Sequence, residues 1–255
     1  MKSPLVIAHR GNSSSAPENT LAAIREAINL GTDCVEIDIR CTKDCVPILI
    51  HDPAIGRVTG DMGNVSDLTL EEIHALHVSM QNGETKYRGE GIPTFEEALL
   101  EAKDETNLVA EVKVDCIDQI LSIIGKLRIA RGLSFACFRI ELLQKLYRAM
   151  PHFEVAWLLN APQWIEGNSA KTIETASESE ISVVVPPMPA ITASSVCCAH
   201  EVGLKVWTWE CETAEDFEKA VAAGVDGIVT NAPHELLAFL VERGRRSGRL
   251  AEMLA

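Results

Sequence analysis

The chain has 255 residues, 47% hydrophobic and 24% charged, which is ample for a core and close to the roughly 250 residues of one α/β barrel. With 37 Asp and Glu against 23 Lys and Arg, the formal net charge is −14, a field that repels polyanions and excludes nucleic acid as an expected partner. No apolar stretch approaches the roughly 20 residues of a membrane span, so no stable membrane insertion is expected.

Short β-rich runs alternate with amphipathic segments along the chain. Residues 5–9, 34–40, 108–114, 133–138, 154–159, 182–186, 205–209 and 227–230 read as eight strands, most of them near-continuous apolar runs of the kind covered on both faces. Between them, 21–30, 117–130, 141–150 and 214–223 carry helical periodicity, with Asn19-Thr20 placed to cap the first helix and Gly31 to end it. Eight strand–helix units predict a single (β/α)8 barrel over 1–255. No Gly-x-Gly-x-x-Gly follows the first strand, which argues against the open dinucleotide-binding sheet. The alternation breaks at 52–91, a Gly-, Asn-, Asp- and Thr-rich stretch with one short helix near 70–76; an insertion of this length reads as a lid or binding loop.

Eight cysteines occur without any Cys-x-x-Cys pair, and Cys197-Cys198 are adjacent, which suits reduced thiols rather than zinc or disulfides. The apolar run Leu5–Ala8 is too short for a signal-peptide core, so the expected location is the cytoplasm. The basic cluster at 243–249 reads as a solvated tail.

Four clusters fall at the carboxyl ends of predicted strands, where barrel chemistry sits. His9-Arg10-Gly11 closes the first strand, and the Arg fork fits phosphate oxygens. Glu36 and Asp38 alternate on the second strand and so share a face, a costly pairing that a divalent cation with hard oxygen ligands, Mg2+ or Ca2+, would relieve. Read as structure alone, they would face outward to Arg partners, but outward positions of such a strand are covered by helices. His51-Asp52 follows a predicted hairpin whose two-residue loop at 44–45 would set His51 opposite Asp38. Glu111 and Lys113 share a face of the next strand; they fit either a buried structural ion pair or a third metal carboxylate with a phosphate-facing cation. Two histidines, three carboxylates, Arg and Lys at one barrel mouth suit phosphodiester cleavage.

In order and spacing, His9-Arg10-Gly11, Pro17-Glu18-Asn19-Thr20, Glu36-x-Asp38, Thr42-Lys43-Asp44, Val46-Pro47, His51-Asp52, Ile92-Pro93-Thr94, Glu111-x-Lys113, Trp207-Thr208 and Gly224-Val225-Asp226-Gly227 resemble the glycerophosphodiester phosphodiesterase family, from Val6 to about Pro233. The resemblance implies Glu36, Asp38 and Glu111 on a divalent metal, and His9 and His51 as the acid–base pair, with His51 taken as the acid. It also implies Arg10 and Lys113 at the phosphate, with glycerol 3-phosphate and an alcohol as products. Phe135 and Trp207 are candidates for lining the alcohol's pocket, a structural core role being the alternative for both. Three positions depart from the family pattern: Cys45 where Gly is usual, Glu210 where Asn is frequent, and Asn231 where Asp is usual. All three are expected outside the acid–base–metal set. The rival readings are a sphingomyelinase D-like phospholipase on a related barrel, a lyase or aldolase acting on a phosphorylated sugar, and a non-catalytic phosphate-ester binding protein. Two histidines flanking the metal, which a lyase or aldolase would hardly require, the presence of all seven polar residues and the scarcity of apolar residues in the insertion favour the hydrolase acting on a small soluble diester.

Overall fold

The predicted parallel strands close on one another. In the computed structural model, which describes residues 3–78, 87, 89–165 and 167–246, the barrel strands are β1 (Leu5–Ala8), β2 (Cys34–Cys41), β4 (Asn107–Val112), β5 (Leu133–Cys137), β6 (Glu154–Leu158), β7 (Val183–Val185), β8 (Lys205–Thr208) and β9 (Gly227–Thr230). Each pairs in parallel with its neighbour, and β1 pairs with both β2 and β9, which completes the ring as a (β/α)8 barrel. The ninth strand, β3 (Pro47–Leu49), is antiparallel to the far end of β2. The helices between strands include α1 (Leu21–Leu30), α4 (Phe95–Ala102), α5 (Ile117–Leu127), α6 (Ile140–Ala149), α10 (Ala214–Ala223) and α11 (Pro233–Glu242). The short α2 (Gly56–Thr59) and α3 (Leu70–His74) lie in the insertion, α7 (Ala161–Trp164) and α8 (Ser169–Glu178) follow β6, and α9 (Ala193–Glu201) precedes β8. The 52–91 segment is described except for 79–86 and 88, and packs its own small core of Ile55, Val58, Val65, Ile73 and Val78 against Ile48, Ile50 and Ile92.

Strand parity divides the core in two. Outward residues such as Val6, Val35, Ile37, Leu108, Ala110, Leu133 and Phe135 pack under the helices, and inward ones such as Ile7, Cys34, Val109, Ala136, Val183 and Trp207 fill the barrel. The inward layer fixes the site's address, because His9, Glu36 and Glu111 each stand one inward position above Ile7, Cys34 and Val109. Local chemistry supports the frame. Thr20 caps α1 and Gly31 ends it in the left-handed region, while Thr94 and Glu97 form a capping box on α4. Gly227 leaves room for an inward neighbour: a Cβ there would lie 2.6 Å from Cδ1 of Trp207. All eight cysteines are free, and those at 34, 116, 137 and 211 are buried.

The hairpin differs from the expected register by one residue. Ile39 faces Leu49 and Cys41 faces Pro47, so the loop is 43–45 and the residue opposite Asp38 is Ile50, whose N–H donates to the Asp38 carbonyl at 3.0 Å. The cause is Cys45. Its φ of +62° accommodates a three-residue loop, with Cys45 N–H bonded to the Thr42 carbonyl and Thr42 N–H bonded to that of Val46. Holding a non-glycine residue there costs about 1–2 kcal/mol, partly offset by the lower chain entropy of any non-glycine residue when unfolded. Cys45→Gly is therefore expected to stabilise the fold by about 0.5–1 kcal/mol in urea unfolding, with the loop unchanged; a destabilised variant would contradict this account of the turn.

Candidate active site

The site is assembled from strand ends. After β1 the chain turns sharply through Arg10 (φ +56°) and Gly11 (φ +83°), and a Cβ on Gly11 would sit 2.6 Å from backbone and side-chain atoms of Ala23. Only glycine lets β1 end against α1, and this turn aims His9 and Arg10 into the mouth. The Arg10 N–H donates to Glu36 Oε2 at 2.9 Å, its Nε lies 3.2 Å from Asp38 Oδ2, and its Nη1 donates to Glu18 Oε1 at 3.0 Å. Asn19 holds Asp38 at two points, donating to Oδ2 at 2.8 Å and accepting the Asp38 N–H at 3.0 Å. Asn19 was expected to share in capping the helix; Thr20 alone does that.

Glu36, Asp38 and Glu111 converge, with one ligand oxygen from each lying within 4.8 Å of the others. Asp38 pairs with Glu111 across the β2–β4 ladder, and all three carboxylates are buried. Lys113 Nζ bridges Glu111 Oε1 at 2.6 Å and Asp38 Oδ1 at 3.0 Å. The electrostatics are uneven. Burial works against Asp38's ionisation, but Lys113 and Arg10 overcome it and hold its carboxyl below the usual range. Burial first, then Asp38 and Glu111, push Glu36 well above that range, and burial raises Glu111 to about 7 despite Lys113. Two of the three carboxylates thus remain incompletely compensated, and an oxygen-lined cluster of this kind fits a divalent ion.

His9 is half-buried and its pKa is lowered, first by desolvation and then by Arg10. Its Nε2 is 3.8 Å from Glu36 Oε2 and its Nδ1 is 2.8 Å from Asn231 Oδ1. His51, despite the corrected register, reaches the same cavity, because the chain bends after β3 and Arg40 Nε donates to the His51 carbonyl at 2.8 Å. Its Nδ1 is 2.7 Å from Asp52 Oδ1. Arg57 of the insertion binds Asp52 Oδ2 at 2.5 Å and both oxygens of Glu18 at 2.6 and 2.8 Å, so the insertion is tied to the His51 and Arg10 partners together.

The cavity, of about 290 Å³, is two-sided. His9, Arg10, Glu36, His51, Glu111 and Lys113 form its charged half, while Phe138, Leu158, Val185, Trp207 and Trp209 form the apolar half. Trp207 lines it, and its indole N–H is buried without a hydrogen-bond partner. Phe135 does not line it: it faces the helices and packs edge-to-face on Phe153 at 5.9 Å. Phe138, inward by parity, takes the place expected for Phe135, stacked edge-to-face with Trp209 at 5.7 Å. Glu210 and Asn231, expected outside the acid–base–metal set, both flank His9, with Asn231 Oδ1 2.8 Å and Glu210 Oε1 3.7 Å from its Nδ1. Alternation along β5 could have revealed Phe138. The roles of Glu18, Arg40, Arg57, Glu210 and Asn231 depend on contacts between distant segments and leave no local signal.

The Glycerophosphoryl diester phosphodiesterase family model matches residues 9–235. The chain belongs to this family of (β/α)8-barrel proteins. A glycerophosphodiester phosphodiesterase of Caldanaerobacter subterraneus subsp. tengcongensis is 33% identical over 247 residues, 94% of this chain and 98% of that protein. One from Bacillus subtilis is 28% identical over 250 residues, 90% and 84% of the two chains. The structure of an Oleispira antarctica phosphodiesterase in complex with the product sn-glycerol-3-phosphate shares the fold at a TM-score of 0.84, with 24% identity, covering 93% of this chain and 97% of that one.

The raised carboxylates give the site a pH signature. Below about pH 7 the metal-free site holds a proton on Glu111, so binding a divalent ion must displace it. Mg2+ or Ca2+ affinity is expected to rise by up to about tenfold per pH unit between roughly pH 6 and 7.5, with proton release in calorimetry. Glu111 holds a proton in the metal-free fold that it loses in the unfolded chain between 4.5 and about 7, so its contribution to stability falls as pH rises through that window. Affinity that is flat with pH would contradict the charge frustration.

Proposed function

We propose that the protein hydrolyses glycerophosphodiesters to sn-glycerol 3-phosphate and an alcohol in a metal-dependent reaction with His9 and His51 as the proton-transfer pair. The observation that carries this reading is the convergence of both histidines, Glu36, Glu111, Arg10 and Lys113 on one cavity, with Asp38 clustered beside the two glutamates, in a chain of this family.

Glu36, Asp38 and Glu111 are the residues that would hold the ion, which when bound supplies Lewis acidity and offsets negative charge on the reacting oxygens. Arg10 and Lys113 hold the phosphate's non-bridging oxygens. His9, kept neutral by burial, accepts the proton of the glycerol hydroxyl adjacent to the ester, whose oxygen attacks phosphorus. The bond to the leaving alcohol breaks, and His51, oriented by Asp52, donates a proton to that oxygen. Water then opens the cyclic phosphate by the reverse sequence: neutral His51 takes a proton from water, the water oxygen joins phosphorus, and His9 returns its proton to the glycerol oxygen. Trp207, Trp209 and Phe138 line the side left for apolar parts of the substrate.

The reading is tested with diesters of choline, ethanolamine, glycerol and inositol followed by phosphorus NMR, in chelator and after adding back Mg2+, Ca2+ or Mn2+. Glycerol 3-phosphate should form only with a divalent ion; turnover in chelator, or action on intact choline phospholipid alone, would overturn the reading.

The histidine roles are separated by leaving group. His9→Ala and His51→Ala should each cost roughly 10²–10⁴-fold on an ordinary diester. On a glycerophosphoryl nitrophenol, whose phenolate leaves without protonation, His51→Ala should recover most of its rate and His9→Ala should not. Equal defects on both substrates would contradict divided roles.

A further inference from the structure

Two oxygen acceptors face the Nδ1 edge of His9: Asn231 Oδ1 at 2.8 Å and, farther off, Glu210 Oε1 at 3.7 Å. An amide can present either its oxygen or its NH2 to a ring nitrogen, and its other edge decides which. On that edge Asn231 Nδ2 donates to Glu212 Oε1 at 3.0 Å and approaches Glu210 Oε2 at 3.4 Å. Carboxylate oxygens at both places require the NH2 there, so the amide oxygen is turned to His9. The side chain is also held in place: its backbone N–H donates to Glu212 Oε1 at 3.1 Å, and its carbonyl accepts the Ser14 N–H at 3.0 Å. The Ser13 hydroxyl, 2.8 Å from the His9 carbonyl oxygen and 2.9 Å from Asn231 Oδ1, can donate to either and leaves the orientation intact.

An amide oxygen only accepts, so the ring nitrogen facing it must carry the proton. We propose that Asn231, oriented by Glu212 and Glu210, is a positioning residue that locks His9 as the Nδ1–H tautomer and turns the Nε2 lone pair toward the substrate. A free histidine ring favours the opposite tautomer, with its proton on Nε2 and no lone pair to offer there. The choice therefore has to be imposed, and the Asn231 amide is the group in hydrogen-bond contact that imposes it. A neutral amide does so without placing a full charge on the ring; the Glu210 carboxylate stands one step back. This inference rests on His9 being a proton-transfer group of the proposed reaction.

Long-range proton–nitrogen NMR on the Mg2+-loaded protein labelled at histidine nitrogen reads the tautomer without turnover, with His9→Gln giving the assignment. Wild type and Glu210→Ala should both show Nδ1 protonated and Nε2 bare. Because Glu210 could swing onto a vacated Nδ1, the loss is read in the Asn231→Leu/Glu210→Ala double variant. There the preference should disappear, and kcat should fall by about tenfold or more with KM within about threefold. Asn231→Asp, which restores an acceptor of the same shape, should restore the Nδ1–H form. A wild-type ring protonated on Nε2, or a double variant that keeps the Nδ1–H form, overturns the proposal. A double variant that loses the tautomer at undiminished kcat upholds the control exerted by Asn231 and instead removes His9 from the reaction.

Discussion

Everything at the barrel mouth answers to the burial of three carboxylates within reach of one another. Glu36, Asp38 and Glu111 occupy successive inward positions that the rest of the strands fill with apolar side chains, and a bare buried charge costs several kcal/mol, on the order of its uncompensated desolvation. The protein's own cations are spent unevenly on this cluster. Among the described residues, Asp38 takes Arg10, Lys113 and Asn19; Glu111 takes one contact from Lys113; Glu36 takes only the Arg10 N–H and the edge of His9. The unevenness leaves the cluster room for a further cation, which a fully matched ion-pair network would lack.

The surrounding motifs follow from that requirement. The Arg10–Gly11 turn brings a backbone donor and a guanidinium to the carboxylates together, at the cost of a close approach to α1 that no larger residue permits. Asn19 is held at φ +57° so that its amide can clamp Asp38. Glu18, on the far side of Arg10, extends the network to Arg57 and, through Asp52, to His51, so the insertion shares partners with Arg10 and with His51. The opposite half of the cavity carries no charge between β5 and β7, which confines polar chemistry to one wall and leaves the other for apolar contact.

Strand and helix positions were legible in the sequence because parallel barrel strands are continuous apolar runs, and α1 and α10 match their predicted spans to the residue. The shared face of Glu36 and Asp38 followed from alternation alone. The register of β3 did not, because it depends on Cys45 adopting a left-handed conformation that composition does not reveal. Phe135 takes the core role, because parity and not aromatic character decides the face: Ser134 and Ala136 share the inward parity of Phe138. Asn231 and Glu210 meet His9 only because β9 closes on β1, a contact spanning most of the chain, and a local pattern carries no trace of such closure.

A crystal soaked in Mn2+ and measured for anomalous scattering tests the reading of the carboxylate cluster most directly. A single strong peak within bonding distance of Glu36, Asp38 and Glu111, with Lys113 retained beside Asp38, is the predicted result. No peak at the cluster under saturating Mn2+ would show that Arg10 and Lys113 satisfy these carboxylates by themselves, and would contradict the account.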